Sequence, residues 1–78
     1  MPQYFYYYVS DGVSLDKKGV ELADASAARD LAIRNARELA CEQVLKGSLN
    51  LGHRVVVEDE HGTAVVTVRF EDAITVER

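Results

Sequence analysis

The sequence predicts an α+β fold of order ββαββ, in which one antiparallel sheet packs against a single helix. Two pairs of short apolar segments flank one long alanine-rich segment, and glycine-containing turns separate the members of each pair. The chain has 78 residues, and a domain of this size buries only about 60% of the surface that its unfolded chain exposes. We predict one domain over residues 1–78, with 72–78 as a candidate flexible tail.

The first predicted strand runs from about Gln3 to Val9 and holds five consecutive aromatic residues at positions 4–8. Alternate side chains of a strand point to opposite faces, so Tyr4, Tyr6 and Tyr8 share one face and the residues between them share the other. A single helix covers only one face of a sheet. We therefore expect some of these rings to meet water, a ligand or a second copy of the chain.

The return strand of the first hairpin has two candidate positions. The residues Ser10-Asp11-Gly12 have the composition of a tight turn, and they lead directly into Val13–Leu15. A second turn signal follows at residues 16–19, so Val20–Leu22 is the alternative partner, with a longer loop from Gly12 to Gly19. The pattern leaves both open.

The predicted helix begins with Asp24 or Ser26 as N-cap and ends before Gly47. Small residues dominate its apolar stripe, which lets the helix axis approach the sheet closely. The stripe comprises Ala25, Ala28, Ala32, Ala36 and Leu39. A weaker apolar strip of Ile33, Ala40 and Val44 either packs against the loop 48–51 or contacts a second subunit.

A second hairpin is predicted from His53 to Asp59 and from Thr63 to Phe70. The hydrophobic pattern puts Val55 and Val57 on one face with Val66, Val68 and Phe70. Val56 and Val65 then lie on the outer face, where they could form a continuous apolar patch with the N-terminal tyrosines. The alternation of Ile74 and Val76 predicts a short edge strand or an arm onto a partner.

Composition excludes several classes of function. A net charge of −4 and a pI near 5.0 argue against binding to nucleic-acid phosphates. The single cysteine, Cys41, forms no disulfide within one chain and fits the reducing cytoplasm. The sequence has neither an apolar run of about 20 residues nor a signal peptide, so we expect a soluble cytoplasmic protein with no membrane contact.

The sequence also lacks a recognised catalytic or metal motif. His53 and His61 have no metal-ligand spacing, and Cys41 lies mid-helix without an activating neighbour. We therefore predict no cofactor, no metal and no catalytic residue. The enzymatic alternative is tautomerase-like: Pro2, exposed as a terminal amine after loss of Met1, acts as general base, with Arg54 or Arg69 anchoring a carboxylate.

The function predicted from these features is that of a non-enzymatic module that self-associates or binds another protein. Exposed apolar patches on small domains commonly mark interfaces. Tyr6, Tyr8, Val56 and Val65 are the interface candidates if the outer sheet face is used, and Ile33 and Val44 if the helix flank is used. The full candidate set is Tyr4, Tyr6, Tyr8, Ile33, Val44, Val56 and Val65.

The chain resembles a family of short bacterial proteins catalogued as a domain of unknown function. The resemblance covers Pro2 to about Ala73 and implies a compact single domain, without implying an activity. Its residues are Pro2-Gln3-Tyr4-Phe5, Asp11-Gly12, Asp16-Lys17-Lys18-Gly19-Val20-Glu21-Leu22, Asp24, Ala27-Ala28-Arg29, Ala36-Arg37-Glu38-Leu39 and Glu58-Asp59-Glu60-His61-Gly62.

A weaker resemblance is to antitoxins of the HicB type, carried by Gly19-Val20-Glu21-Leu22 before an alanine-rich helix. It implies a partner protein. The segment Ala23-Asp24-Ala25-Ser26 stands where that family has proline and glycine before its helix. On the strength of the resemblance, an antitoxin-like role is the alternative function.

Overall fold

The computed structural model describes residues 2–10 and 12–75, which form an α+β fold of one antiparallel sheet and one main helix. This confirms the predicted fold class and the order ββαββ, and it adds a short second helix. The elements are β1 (Gln3–Ser10), β2 (Val13–Glu21), α1 (Ala25–Leu45), β3 (Arg54–Asp59), β4 (Ala64–Arg69) and α2 (Phe70–Ala73). Asp11 of the predicted turn and Val76 of the predicted arm lie outside the described residues.

The four strands lie in the order β2-β1-β3-β4, so the aromatic strand β1 is central. Val13–Leu15 and Val20–Glu21 are both part of β2, so the two candidate return segments contribute to one strand. The register of β2 against β1 shifts between Tyr6 and Tyr8. Tyr6 pairs with Lys18, whereas Tyr8 pairs with Leu15. The second turn signal at residues 16–19 is therefore an irregularity within one strand, and the sequence pattern alone could not distinguish it from a loop.

Helix α1 begins after Asp24, whose side chain accepts a hydrogen bond of 2.9 Å from the backbone N–H of Ala27. It ends before Gly47, which has a φ of 93° that favours glycine. The buried face consists of Ala28, Ala32, Ala36 and Ala40. Two stripe assignments were wrong: Ala25 is exposed, and Ala40 belongs to the buried stripe rather than to the weaker strip.

The core lies between α1 and the β3–β4 half of the sheet. Val55 pairs with Val68 and Val57 pairs with Val66, as the hydrophobic pattern predicts. Val55, Val57 and Phe70 are the largest fully buried side chains. Phe70 begins α2 instead of ending a strand, and its ring stacks on Tyr8 with centroids 5.8 Å apart.

The C-terminal segment turns back along α1. Arg37 donates from Nε to the backbone oxygen of Ala73 over 2.7 Å, which fixes α2 beside the long helix. Ile74 bonds through its N–H to the oxygen of Phe70, so residues 70–74 form a helical turn instead of the predicted edge strand. Residues 72 and 73 of the predicted tail belong to α2, and 76–78 lie outside the described residues.

The alanine stripe generates a stability prediction. Ala32→Leu should lower the free energy of unfolding by about 1–3 kcal/mol, because a larger side chain forces α1 away from the fully buried valines beneath it. The measurement is urea unfolding followed by circular dichroism. Ala25→Leu is the matched control, since Ala25 is exposed on the same helix. Equal effects of the two substitutions would show that close approach is not required.

Candidate functional site

The register assigns the predicted interface residues to different faces of the sheet. Tyr8 pairs with Val55 and Tyr7 pairs with Val56, and directly paired residues share a face. Tyr4 belongs to the core cluster, and Tyr6 and Tyr8 pack against it on the helix side. The prediction that Tyr6 and Tyr8 share an outer surface with Val56 is therefore wrong.

The outer face also differs from the continuous apolar patch that was predicted. Val9 and Val56 lie there, yet each is only 6% exposed although the helix packs on the opposite face. Val65 is the other predicted outer residue, and it is 39% exposed at a register shift between β3 and β4.

A cluster of Lys17, Glu58, Tyr7 and Phe5 lies on the outer face of the sheet. Lys17 Nζ lies 2.7 Å from Glu58 Oε1, and the Tyr7 hydroxyl donates to Glu58 Oε2 over 2.8 Å. The lysine nitrogen also lies 5.7 Å and 5.8 Å from the ring centroids of Phe5 and Tyr7, within the range of cation–π attraction. Lys17 is on this face because it alternates with Lys18, which pairs with the inward-facing Tyr6.

The cluster changes the acidity of two of its members. The hydrogen bond from Lys17, followed by that from Tyr7, lowers the pKa of Glu58 below its ordinary value of 4.5. The same bond to Glu58, together with burial, raises the pKa of Tyr7 above its ordinary value of 10.0. Across the intervening pH range, the ionised carboxylate and the neutral phenol are therefore the forms that the fold favours.

On the helix side, a second polar cluster surrounds His53, which is only 9% exposed. Its Nδ1 lies 2.6 Å from the Tyr8 hydroxyl and 2.6 Å from Gln43 Nε2. Gln43 Nε2 also donates to the Tyr8 hydroxyl over 3.0 Å. Ser10 Oγ lies 3.3 Å from the other ring nitrogen, Nε2.

The hydrogen-bond roles in this cluster follow from the backbone of Asn50. Its N–H donates to Gln43 Oε1 over 2.8 Å, so the amide nitrogen of Gln43 faces the imidazole. Nδ1 of His53 is then the acceptor, and Nε2 carries the proton toward Ser10. A nucleophilic serine needs the opposite arrangement, in which the facing ring nitrogen accepts its proton. The cluster therefore positions β1 against the end of α1 without activating Ser10.

The residues of the tautomerase-like alternative, Pro2 with Arg54 or Arg69, lie far apart in the structure. The carbonyl of Pro2 accepts a hydrogen bond of 3.1 Å from the Leu22 N–H at the start of β1. Arg54 pairs with Val9 at the other end of that strand, seven residues further along, or about 24 Å at 3.4 Å per residue. Arg69 pairs with Arg54 and is equally remote. The chain therefore does not bring Pro2 close to either arginine.

Among residues 2–10 and 12–75, no group of three or more His, Cys, Asp and Glu side chains could hold a metal ion. Cys41 is exposed and free. None of the helices described is both long and apolar enough to cross a membrane.

The two edges of the sheet differ in how well they are protected from pairing. Both edge strands have a register shift, which hinders the addition of another strand, and β2 also carries Lys17 and Lys18. β4 carries neither proline nor any charge before Arg69, and its Val65 and Thr67 side chains are exposed. Within the described part of the chain, β4 pairs only with β3. Its outer edge is therefore the more accessible one.

A second exposed apolar region lies at the end of α1. Val44 is 57% exposed, Leu45 is 81% exposed and Leu49 is 37% exposed. The predicted helix flank is thus divided, because Ile33 packs against the core whereas Val44 does not. Helix α2 also contacts α1.

Sequence reasoning missed the polar cluster around His53, although one signal was present. Gln43 follows Ala36 and Ala40 at helical spacing, so a polar amide continues the buried stripe. A long polar side chain at such a position indicates a hydrogen-bonding partner below it. Nothing in the local sequence identifies that partner as His53, because their contact depends on how α1 lies over the sheet.

Comparison with known proteins identifies the family but no characterised relative. A family model described as "Domain of unknown function (DUF6894)" matches residues 4–71. No curated protein and no solved structure matches the chain.

The Lys17–Glu58 pair generates a pH prediction. The folded-state pKa of Glu58 is depressed, so its contribution to stability is present above about pH 4.5 and is lost as pH falls through the folded-state value. Lys17→Met removes the largest cause of this shift and should therefore flatten the acid dependence of the free energy of unfolding. Urea unfolding at a series of pH values from 3 to 7, roughly spanning this transition, measures the slope.

The matched control for that experiment is Lys18→Met, which removes the same charge from the helix-side face, opposite Tyr6. Its acid dependence should stay close to that of the unsubstituted protein. If both variants flatten the slope equally, the effect comes from net charge and the specific pair has no role.

The His53 cluster generates a separate stability prediction. Gln43→Leu should lower the free energy of unfolding by about 1–3 kcal/mol, because the buried imidazole and the Asn50 N–H each lose a partner. Glu42→Leu is the control at the neighbouring exposed position and should stay within about 0.5 kcal/mol. Thermal and urea unfolding provide the measurement, and an unchanged Gln43→Leu protein would contradict the assigned hydrogen bonds.

Proposed function

We propose that this chain, which belongs to the DUF6894 family of unknown function, is a non-enzymatic interaction module that self-associates through the free edge of β4. The accessible edge is the observation that carries the proposal. An edge strand presents unpaired N–H and C=O groups, and an edge without proline or charge lacks two of the features that block pairing with another strand. The five residues Ala64–Val68 have this character.

The positions of the other candidate residues support the choice of β4. Tyr4 is a core residue, and Tyr6, Tyr8 and Ile33 pack against the core. Val56 is buried on the outer face. Of the predicted interface set, Val44 and Val65 remain well exposed, and Val65 lies on β4 itself.

The non-enzymatic part of the proposal is supported by the roles assigned in the His53 cluster. The proton on His53 Nε2 faces Ser10, so the pair has the wrong polarity for nucleophilic catalysis. Pro2 lies far from both candidate arginines. We further propose a soluble cytoplasmic protein that needs no cofactor and binds neither nucleic acid nor membrane, because the chain is acidic and has one cysteine.

An antitoxin-like role is the alternative. It would use the same edge to accept a strand from a different protein, since strand addition depends mainly on backbone groups. A protein that stays monomeric alone and forms a one-to-one complex with a co-purified partner would favour this alternative over self-association.

The proposal predicts the effect of a charge on the β4 edge. Val65→Lys should weaken self-association at least tenfold, because pairing would bring the ammonium group into the new strand interface. Val13→Lys is the matched control: Val13 is 58% exposed on the opposite edge strand, β2. Size-exclusion chromatography with light scattering over a tenfold concentration range gives the masses, and circular dichroism verifies that both variants fold.

The outcomes separate the alternatives. The unsubstituted protein and Val13→Lys should have the mass of a dimer, whereas Val65→Lys should be largely monomeric. A monomeric unsubstituted protein would overturn self-association. A dimer that withstands Val65→Lys would place the interface elsewhere, with the exposed Val44, Leu45 and Leu49 as the next region to substitute.

A further inference from the structure

The geometry points to a binding site for a doubly charged oxyanion such as phosphate, formed by Arg54 and Arg69 on the outer face of the sheet. The inference goes beyond the proposed self-association, because both arginines belong to one chain and the site would be the same in a monomer and in a dimer. The sequence suggested these two residues as anchors for a carboxylate. They lie together in the structure, although Pro2 is remote from both.

The two arginines are direct cross-strand neighbours. Arg54 of β3 pairs with Arg69 of β4. One residue beyond this pair, the Phe70 N–H donates to the His53 oxygen over 2.9 Å. Arg54 and Arg69 therefore form a non-hydrogen-bonded pair, the kind in which the Cα atoms are only about 4.5 Å apart and the side chains lie closest. Both point outward, since Arg54 also pairs with the outward Val9.

This arrangement opposes folding. Like charges directly opposite each other on paired strands repel and destabilise the pair. An uncharged or acidic residue at either position would avoid the repulsion between Arg54 and Arg69. Residues that conflict with the stability of their own surroundings are expected mainly at functional sites. Two adjacent guanidinium groups are suited to one such function, the binding of an anion between them.

The acidic residues beside the pair neutralise it only in part. Glu71 Oε1 lies 3.4 Å from Arg69 Nη1, and the two side chains are 49% and 58% exposed, so this surface contact contributes little. Asp72 accepts a hydrogen bond of 3.3 Å from the backbone N–H of Arg69. Among residues 2–10 and 12–75, Arg54 forms no ion pair.

The paired residues that surround the two arginines on the outer face are uncharged. They are Ser14, Val9, Tyr7, Val56 and Thr67. Glu58 is the first acid along β3, and its Cα lies four residues from that of Arg54, or about 14 Å at 3.4 Å per residue. This exceeds the screening length of about 10 Å at 0.1 M salt. The Glu58 carboxylate is also bonded to Lys17, so it leaves the positive charge of the arginines largely unopposed.

The chemistry of two guanidinium groups selects the class of ligand. Each group presents a planar fork of N–H donors that matches the oxygens of a carboxylate or a phosphate. A carboxylate or a nucleic-acid phosphodiester carries one negative charge and would balance one arginine. A phosphate monoester carries about −1.5 to −2 at pH 7 and has three acceptor oxygens. It can therefore bridge Arg54 and Arg69 and balance both charges.

Titration of ¹⁵N-labelled protein with inorganic phosphate tests the site, with ionic strength held constant by sodium chloride. The amide signals of Val56 and Thr67, beside the arginines, should shift saturably with a dissociation constant on the order of 1 mM. Arg54→Met and Arg69→Met should each weaken binding by roughly tenfold or more, because each removes charge-assisted hydrogen bonds. Arg34→Met is the matched control, since it removes the same charge from an exposed position of α1.

A second variant changes the affinity in the opposite direction. Glu71→Gln removes the carboxylate that competes for Arg69, so it should tighten phosphate binding by about two- to fivefold. Glu38→Gln, at an exposed position of α1, is its control and should leave the affinity unchanged. Glu71→Gln keeps both arginines, so it tests the site even if an arginine variant fails to fold. Circular dichroism verifies the fold of every variant.

The anions themselves separate the outcomes. Sulfate should bind like phosphate, and acetate should bind roughly tenfold more weakly or less. The absence of saturable shifts with phosphate up to about 50 mM, far above a millimolar dissociation constant, would overturn the site. Equal binding of acetate would overturn the assignment to a dianion, and an equal loss in Arg34→Met would show a general effect of charge. Self-association is scored separately by mass, so either proposal can fail while the other stands.

Discussion

The structure depends on the close contact between an alanine stripe and a valine-rich sheet. Ala28, Ala32 and Ala36 are fully buried on one side of that contact, and Val55 and Val57 are fully buried on the other. Small side chains let α1 lie near the backbone of β3 and β4, but they contribute little buried area themselves. Phe70 and the tyrosines of β1 fill the remaining core volume from the sides. Large rings and small alanines are therefore complementary parts of one packing solution.

Two polar clusters, one on each face, fix the central strand β1 between its neighbours. On the helix side Tyr8 is tied to His53 and Gln43, which links β1, the segment before β3 and the end of α1. On the outer side Tyr7 is tied to Glu58, and Glu58 to Lys17, which links β1, β3 and β2. A tyrosine offers both a ring that packs and a hydroxyl that bonds. The aromatic run is thus used for cohesion within the domain.

The sequence predicted the elements well because each has local signals. The Asp24 cap, the glycine after α1 and the alternation of Val55 and Val57 with Val66 and Val68 are all confirmed. The assignment of faces failed at β1 because aromatic residues occupy both its odd and its even positions. The alternation of side chains therefore does not indicate which face of the sheet the helix covers. The His53 cluster and α2 also escaped prediction. Both depend on contacts between residues far apart in the chain, such as Arg37 with Ala73.

The order of strands in the sheet differs from their order in the chain, and this affects how the fold can assemble. β1 lies between β2 and β3, but 43 residues separate its end at Ser10 from the start of β3 at Arg54. At a synthesis rate of about 5–20 residues per second, roughly 2–9 seconds pass between the end of β1 and the start of β3. Throughout this interval the β1–β2 hairpin exposes a tyrosine-rich face with no core to cover it. The nascent chain is therefore most prone to aggregation before its second hairpin emerges.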